Sequence, residues 1–285
     1  MTGQIIDGLA VAADIKLRVK NAVSELKNKG IQPSLATILV GDDPSSATYI
    51  KNKQKAAEEV GIITWDHKFP SSLTQRELMD LVDLLNKDNN IHGILVQLPL
   101  PSPIDEFAII NMINPTKDVD GLTPFNVGLL LNGCASLKPC TPSGIIEMLD
   151  FYNINIVGMD AIIVNRSNLV GKPLSMLLLQ RDATVTICHS KTKYLKDKLR
   201  QADIVITAVG NREIFTLTSE MVKPGCIVID VGITRSRRKI TGDVDFEGVR
   251  QKASWITPVP GGVGPMTVSM LLKNTVTAAS IRKRE

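Results

Sequence analysis

The sequence predicts an α/β protein of two domains, the second built on a doubly wound parallel sheet. Three observations carry that prediction. Helical stretches alternate with short β-prone runs along nearly the whole chain, the pattern of βαβ units. A turn-rich segment, Asn132 to Cys140, interrupts the alternation before it begins again. A length of 285 residues, 44% apolar and 22% charged, suits two globular domains.

The first alternation opens at Leu9 to Lys29, where Leu9, Ala12, Ile15, Val19, Val23 and Leu26 fall at helical spacing and Gly30 follows as a stop. Strands are expected at Leu35 to Val40, Ile62 to Phe69 and Ile91 to Gln97, with helices between them at Ser45 to Val60 and Thr74 to Asn86. Thr74-x-x-Glu77 heads the second helix as a capping box. Beyond the boundary, Thr141-Pro142 reads as N-cap and first helical position before Ile145, Ile146 and Leu149. Ala161 to Val164, Thr184 to Cys188, Ile204 to Val209, Cys226 to Val231 and Trp255 to Thr257 read as strands. Helices are expected after Gly171, at Leu195 to Arg200 and near Ser219, then from Met266 to Ile281. The first, catalytic domain is assigned 1–137 and the second 138–265, with the final helix, 266–285, expected to pack back on the first.

Composition narrows the function classes. The net charge is +4, but bases are mixed with nearly as many acids, and the one basic run, Arg235 to Lys239, reads as a solvated turn. Aromatics make up only 4% and do not interleave with the bases, so no nucleic-acid partner is expected. Cys134, Cys140, Cys188 and Cys226, with His67, His92 and His189, show neither disulfide nor metal spacing. Reduced, mostly buried thiols and no metal are expected. Met1 to Asp14 lacks a charged-then-apolar leader and no run reaches membrane-spanning length, so a cytoplasmic location without a membrane partner is expected.

Several loops carry candidate chemistry. Thr257 to Thr267 holds Pro258, Pro260 and Pro265 beside Gly261, Gly262 and Gly264. Three glycines in four residues exceed what a connector needs, so close approach of a ligand is favoured over a plain turn with Pro265 at the first helical position. The segment Ala161 to Leu174 reads as strand, loop and helix, where a Rossmann-type domain sets a phosphate against free N–H groups. The usual Gly-x-Gly-x-x-Gly is absent. Gly171 permits close packing at the helix start, while Asn165 stands where a first glycine is expected and tolerates the left-handed region. Alone, this fits a dinucleotide site and an ordinary βα loop equally.

The next strand discriminates. It ends in Cys188-His-Ser-Lys191 without the carboxylate that would hold ribose hydroxyls of NAD. Ser190, Lys191 and Arg166 suit a 2′-phosphate, which favours NADP; a solvated turn at Lys191 is the alternative. Asp203 to Gly210 and Asp230 to Thr234 finish two further strands with glycine at their carboxyl ends, where a cofactor lies in such sheets.

In the first half, Tyr49 and Lys53 lie four apart on one helix face. A lysine serves as acid or base near neutral pH when burial lowers its pKa, and a tyrosine offers a stacking face. A surface helix bearing Lys51, Lys53 and Lys55 fits the spacing slightly better. Gln97 ends a strand before two prolines, either to orient a neighbour or as a plain terminus. Lys117-Asp-Val-Asp-Gly121 is a solvated acidic loop or, with Asp120 turned inward, an acceptor for two hydrogen bonds from an amino-pyrimidinone edge.

Six motifs together give the chain a close resemblance to the bifunctional methylenetetrahydrofolate dehydrogenase/methenyltetrahydrofolate cyclohydrolase family. They are Tyr-Ile-Lys-Asn-Lys, Val-Gln-Leu-Pro-Leu-Pro, Lys-Asp-Val-Asp-Gly, Arg-Ser-x-x-Val-Gly-Lys-Pro, Thr-Val-Thr-x-Cys-His-Ser-Lys-Thr and Pro-Gly-Gly-Val-Gly-Pro-Met-Thr, in that order. The resemblance implies NADP-dependent oxidation of 5,10-methylenetetrahydrofolate to the methenyl cation, then hydrolysis to 10-formyltetrahydrofolate. It implies that Lys53 is the catalytic lysine, that Tyr49 stacks on the aminobenzoyl ring, that Gln97 hydrogen-bonds Lys53 and that Asp120 holds the pterin. Main chain at Val96, Leu98 and Pro260, Gly261, Gly262, Val263 and Gly264 would line the folate site. Arg166, Ser167, Ser190 and Ile233 would contact the cofactor, and a homodimer would form through the second domain. Asn165 departs from the glycine that the family commonly has before Arg-Ser; its side chain is expected to crowd the pyrophosphate, so that Asn165→Gly would bind NADP at least as tightly.

Two other readings start from the same residues. Tyr49-x-x-x-Lys53 matches the catalytic pair of short-chain dehydrogenases, which implies a carbonyl reductase, but there the cofactor loop precedes the pair and here it follows by over a hundred residues. A non-catalytic folate- or nucleotide-binding protein would have no need of Lys53, Gln97 and Asp120 together.

Overall fold

The structure, a computed structural model, describes residues 2–42, 44–236 and 239–281, with backbone alone for 44–49, 236 and 239. The chain divides into two compact units. One comprises Asp14–Cys140 and Val268–Glu285, the other Met1–Ala13 and Thr141–Thr267. The strands are β1 (Gln4–Ile5), β2 (Ser34–Val40), β3 (Ile63–Phe69), β4 (Gly93–Val96), β5 (Asp160–Val164), β6 (Thr184–Cys188), β7 (Ile204–Thr207), β8 (Ile227–Asp230), β9 (Thr234–Ser236), β10 (Lys239–Thr241) and β11 (Trp255–Ile256). The helices are α1 (Gly8–Asn28), α2 (Pro44–Val60), α3 (Gln75–Lys87), α4 (Glu106–Met112), α5 (Pro124–Leu131), α6 (Cys140–Phe151), α7 (Gly171–Leu179), α8 (Leu195–Leu199), α9 (Phe246–Arg250) and α10 (Val263–Ile281).

In the unit containing Asp14–Cys140, three parallel strands run in the order β3-β2-β4. Every residue of β2 is buried, as a central strand covered on both faces requires, whereas the edge strand β3 is largely accessible. Ile38 pairs Val96 at the carboxyl end, and the Gln97 N–H donates to Ile38 O one step further (2.9 Å). The sheet packs on Leu78, Val82 and Leu85 of α3 and on Ile109 and Ile110 of α4. Thr74 caps α3, its side chain accepting from Glu77 N while Glu77 reaches back to Thr74 N. Lys117 is fully buried, and its Nζ donates to Leu85 O and Asp88 O (both 2.7 Å) at the far end of the same helix.

The other unit carries a six-stranded sheet, β1-β11-β8-β7-β5-β6, in which every pairing is parallel. From β5 the chain adds β6 on one side and β7 and β8 on the other, so the strand order reverses between β5 and β7. Ligands lie at such switch points, beyond the carboxyl ends of the strands. β7 and β8 are wholly buried apolar runs ending in Thr207 and Asp230.

The boundaries depart from expectation in four places. Residues 1–13, assigned by sequence to the first domain, group with the second unit, because β1 pairs β11 as its edge strand. A two-residue strand leaves no periodicity to read. Helix α6 starts at Cys140, placing Thr141 and Pro142 inside the first turn, and α10 starts at Val263 rather than Met266. Short α4, α5 and α9 and the β9–β10 hairpin were not anticipated. That hairpin contains part of the basic run, whose Arg237 and Arg238 lie outside the described residues. Among the described residues no helix is long and apolar enough to cross a membrane.

Thr74→Ala removes the cap of α3 and is expected to cost about 1 kcal/mol of stability, measured by urea unfolding followed by circular dichroism. No change in midpoint would show that tertiary packing alone holds the helix end.

Candidate active site

Lys53 sits in the third turn of α2, the helix that follows β2, and it is only 5% exposed. That exposure excludes the solvated-helix reading. Its Nζ donates to Gln97 Oε1 (3.1 Å), and Gln97 Nε2 donates in turn to Leu98 O (2.8 Å). Val96 is buried at the end of β4, so strand, amide and amine form one connected series. Burial lowers the lysine pKa, while the negative charge of Asp120 and the sulfur of Cys140 act in the opposite direction. The shift comes from desolvation; Gln97 accepts from either protonation state and orients the amine. Tyr49 stands one turn earlier in α2, and its side chain lies outside the described residues.

The two carboxylates of the Lys117 to Gly121 loop have separate environments. Asp118 is buried and fully engaged: Oδ1 accepts from Gly121 N (2.9 Å) and Leu122 N (3.2 Å), Oδ2 from Thr123 N (2.8 Å) and Asn126 Nδ2 (2.9 Å). It builds the turn that leads into α5. Asp120, two residues on, faces Lys53 and Cys140, and burial raises its pKa against the lowering effect of Lys53. The acidic loop is therefore not a solvated one.

Sequence reasoning missed two members of this cluster. The Cys140 thiol lies between Val119 O (3.4 Å) and the Asp120 carboxyl, and burial, then Asp120, push its pKa well up. It is a protonated donor here, not a nucleophile. Asn274 of α10 is buried, and its Nδ2 donates to Val119 O and Lys138 O (both 2.8 Å), tying the Asp120 loop to the segment before Cys140. An aligned Cys-Thr-Pro and a lone asparagine in an apolar helix give no spacing signal.

In the other unit, the loop after β5 is organised by Asn165. Its Oδ1 accepts from Ser167 N (2.7 Å) and Gly171 N (3.0 Å), and its Nδ2 donates to Ala208 O beyond β7 (2.7 Å). The side chain is thus turned into the loop, spans the switch point and caps the first residue of α7. A Cβ on Gly171 would lie 2.2 Å from Asn165 O, so glycine is required there by packing. The Asn165 amide is committed to three backbone groups, which gives the side chain a part in shaping the loop besides the bulk expected of it. Arg166, Ser190 and Lys191 are exposed just past β5 and β6, whose last residues, Val164 and Cys188, pair in register. One end of the sheet therefore gathers two cations and a hydroxyl, with Ser167 between.

A cavity of about 360 Å³ lies at the carboxyl ends of β8 and β11, walled by Asp230 to Ile233 and by Pro258 to Pro265. The glycines of the second wall divide their roles. Gly261 turns the chain at φ +101°, and a Cβ on Gly262 would overlap Pro258 O at 2.4 Å, so both serve the loop itself. Of the three, only Gly264 would set a Cβ in open space, so packing within the chain does not explain glycine there. Val263 and Gly264 lie in the first turn of α10, where N–H groups lack helical acceptors. Among the described residues no group of His, Cys, Asp and Glu could hold a metal ion.

Asn165→Ala leaves two N–H groups and one carbonyl without their partners, and is expected to lower stability by roughly 2 kcal/mol. Thermal unfolding unchanged from the parent would show that water replaces the amide.

Comparison with known proteins follows the same division. Residues 6–120 match the tetrahydrofolate dehydrogenase/cyclohydrolase catalytic domain and residues 139–283 the tetrahydrofolate dehydrogenase/cyclohydrolase NAD(P)-binding domain. The chain is 59% identical over 281 residues to the bifunctional protein FolD of Nitrosopumilus maritimus, covering 99% of this chain and 98% of the relative. A crystal structure of FolD methylenetetrahydrofolate dehydrogenase/cyclohydrolase from Campylobacter jejuni superposes with TM-score 0.95 at 50% identity, covering 98% of this chain and 99% of that one. The Trypanosoma brucei dehydrogenase-cyclohydrolase, complexed with NADP cofactor and inhibitor, gives TM-score 0.95 at 40% identity with both chains fully covered.

Proposed function

The chain belongs to the tetrahydrofolate dehydrogenase/cyclohydrolase family, and from that premise we propose the residue roles of a bifunctional enzyme that oxidises 5,10-methylenetetrahydrofolate with NADP and hydrolyses the methenyl product to 10-formyltetrahydrofolate. The observation that carries the assignment is the buried amine of Lys53, held by Gln97 and flanked by Asp120 and Cys140. A carbonyl reductase of the short-chain type would place its lysine in the nucleotide-binding domain, whereas Lys53 and the Asn165 loop belong to different units.

A bound NADP would supply the hydride acceptor for the methylene carbon. The chain's part in that step is to hold and align. Arg166, Ser167 and Ser190 suit the phosphates at the β5–β6 end of the sheet, Ile233 forms a wall of the cavity, and Asn165 keeps the loop in shape. NADP fits these residues better than NAD, since the β5 and β6 loops carry cations and no carboxylate.

Ring opening needs proton management. Water adds to the methenyl carbon and loses a proton, for which the neutral amine of Lys53 is the acceptor; the ring C–N bond then breaks as that proton passes to the departing nitrogen and the remaining hydroxyl proton leaves to solvent, forming the formyl C=O. Gln97 keeps the amine aligned through the cycle. Asp120 accepts hydrogen bonds from the amino-pyrimidinone edge, main chain at Val96 and Leu98 flanks the substrate, and Tyr49 offers its ring to the aminobenzoyl group. Main chain from Pro260 to Gly264 completes the set of folate contacts. The same reading includes a homodimer formed through the nucleotide-binding unit and a cytoplasmic location.

Lys53→Met is expected to abolish ring opening while retaining part of the hydride transfer, read as methenyltetrahydrofolate accumulating during NADP reduction. Equal loss of both activities in a folded variant would remove Lys53 from its assigned role. Because the charge of Asp120 raises the Lys53 pKa, Asp120→Asn should let it fall further. The limb along which ring opening speeds up as the amine becomes neutral then moves to lower pH. An unmoved or alkaline-shifted limb in the pH–rate profile would contradict the pairing. Asn165→Gly, which lacks the amide that shapes the loop, is expected to bind NADP roughly tenfold more weakly by calorimetry, equivalent to one lost hydrogen bond of about 1.4 kcal/mol.

A further inference from the structure

Two buried carboxylates lie beneath the loops at the carboxyl ends of β7 and β8, and neither has a part in the roles assigned above. Asp243 is fully buried; its Oδ2 accepts from Val209 N (2.7 Å) and its Oδ1 from Gly210 N (2.9 Å), the two residues that leave β7. Asp230, the last residue of β8, is also buried, and its Oδ1 accepts from Gly232 N and Asp243 N while Oδ2 accepts from Val244 N (all 3.0 Å). The Thr207 hydroxyl donates to the same Oδ1 (3.3 Å). The segments after β7, β8 and β10 are thus tied to one another by two side chains.

The surrounding residues are shaped to this pair. A Cβ on Gly232 would lie 2.2 Å from the Asp243 carboxyl carbon, and one on Gly242 would lie 1.9 Å from Asp230 Oδ2. Each carboxylate therefore occupies the space that a side chain on the other's loop would fill. Burial raises the pKa of both, that of Asp230 to about 6, so their charges are held at a cost. Buried charges of this kind are weak contributors to stability compared with apolar fillers of similar volume. What they fix is backbone position: the Gly232 and Ile233 segment, which walls the cavity, and the Gly210 turn beside Ile233.

We propose that Asp243 and Asp230 are positioning residues for the cofactor, setting the backbone floor on which its nicotinamide end rests. This rests on the cofactor assignment made above. It implies that the pair matters for the NADP-dependent oxidation and not for ring opening, since hydrolysis of the methenyl compound consumes no cofactor.

The test uses full-length Asp243→Asn. An amide keeps one acceptor and turns an NH2 toward the other N–H, so the loop after β7 loses one bond and gains a repulsion. The KM for NADP is expected to rise roughly tenfold or more, as for loss of one hydrogen bond to a charged group. The dehydrogenase kcat should fall with it, and hydrolysis of added methenyltetrahydrofolate without cofactor should stay within about twofold of the parent, short of the free-energy change of one lost hydrogen bond. Equal loss of both activities would mean a purely structural role and overturn the proposal, as would an unchanged KM for NADP. Should Asp243→Asn fail to fold, Asp230→Asn is scored by the same split. A parent enzyme that hydrolyses methenyltetrahydrofolate but oxidises nothing with NADP would instead overturn the cofactor assignment itself.

Discussion

An ammonium group removed from water is the constraint around which the folate-binding unit is arranged. Lys53 carries its amine to an interior site where desolvation penalises the charged form, and the neighbours each answer one part of that problem. Gln97 supplies an acceptor without adding charge. Asp120 supplies charge, and its own pKa is raised by burial. Cys140 contributes a polarizable, protonated sulfur that adds no competing anion near neutral pH. The outcome is a lysine whose proton is loosely held and a carboxyl whose ionisation depends on what lies beside it.

In both units the loops at the strand ends are held by buried side chains in place of secondary structure. Asp118 closes the turn before α5, Asn165 spans the switch point of the large sheet, Asn274 ties two segments near Asp120, and Asp230 with Asp243 holds three loops at once. Parallel sheets gather function at the carboxyl ends of strands, where ladder bonds run out and backbone groups need other partners. A carboxylate or amide can satisfy two to four such groups from one position. This explains why acidic residues that look available for chemistry in the sequence divide into those spent on backbone and those left facing other titratable groups. Asp118 and Asp120 make that division within three residues.

Much of the architecture was legible because it rests on local signals. The capping box at Thr74, the apolar run of β2 and the exact β6 segment Thr184 to Cys188 are written in adjacent residues. Strand β1 was not legible, because two residues carry no period and its place depends on pairing with β11, some 250 residues away. Lys53 illustrates the same limit at the site: the four-residue spacing from Tyr49 fits a surface helix slightly better, and only the motif order of the whole chain points inward. The loop-shaping part of Asn165 is hidden from the sequence for a related reason. Its identity suggested bulk beside a phosphate, but its three partners include Ala208, beyond the next strand but one, and a hydrogen bond across that distance leaves no mark on spacing.

The coupling between Lys53 and Asp120 gives the proposed chemistry a direction. Alone, the buried pair is pulled toward its neutral forms, because desolvation acts on both while each charge favours only the other. A pterin ring that donates two hydrogen bonds to Asp120 stabilises the carboxylate and keeps it charged. A charged Asp120 in turn holds the proton on Lys53 more firmly. On the proposed roles, arrival of the substrate therefore raises the proton affinity of the amine at the stage when water is to lose a proton to it. The amine thereby gains the proton it needs to deliver to the departing nitrogen. A carboxyl fixed by four backbone and amide donors, as Asp118 is, would have no freedom to report the ligand in this way. That difference, and not charge alone, separates the two acids of the loop.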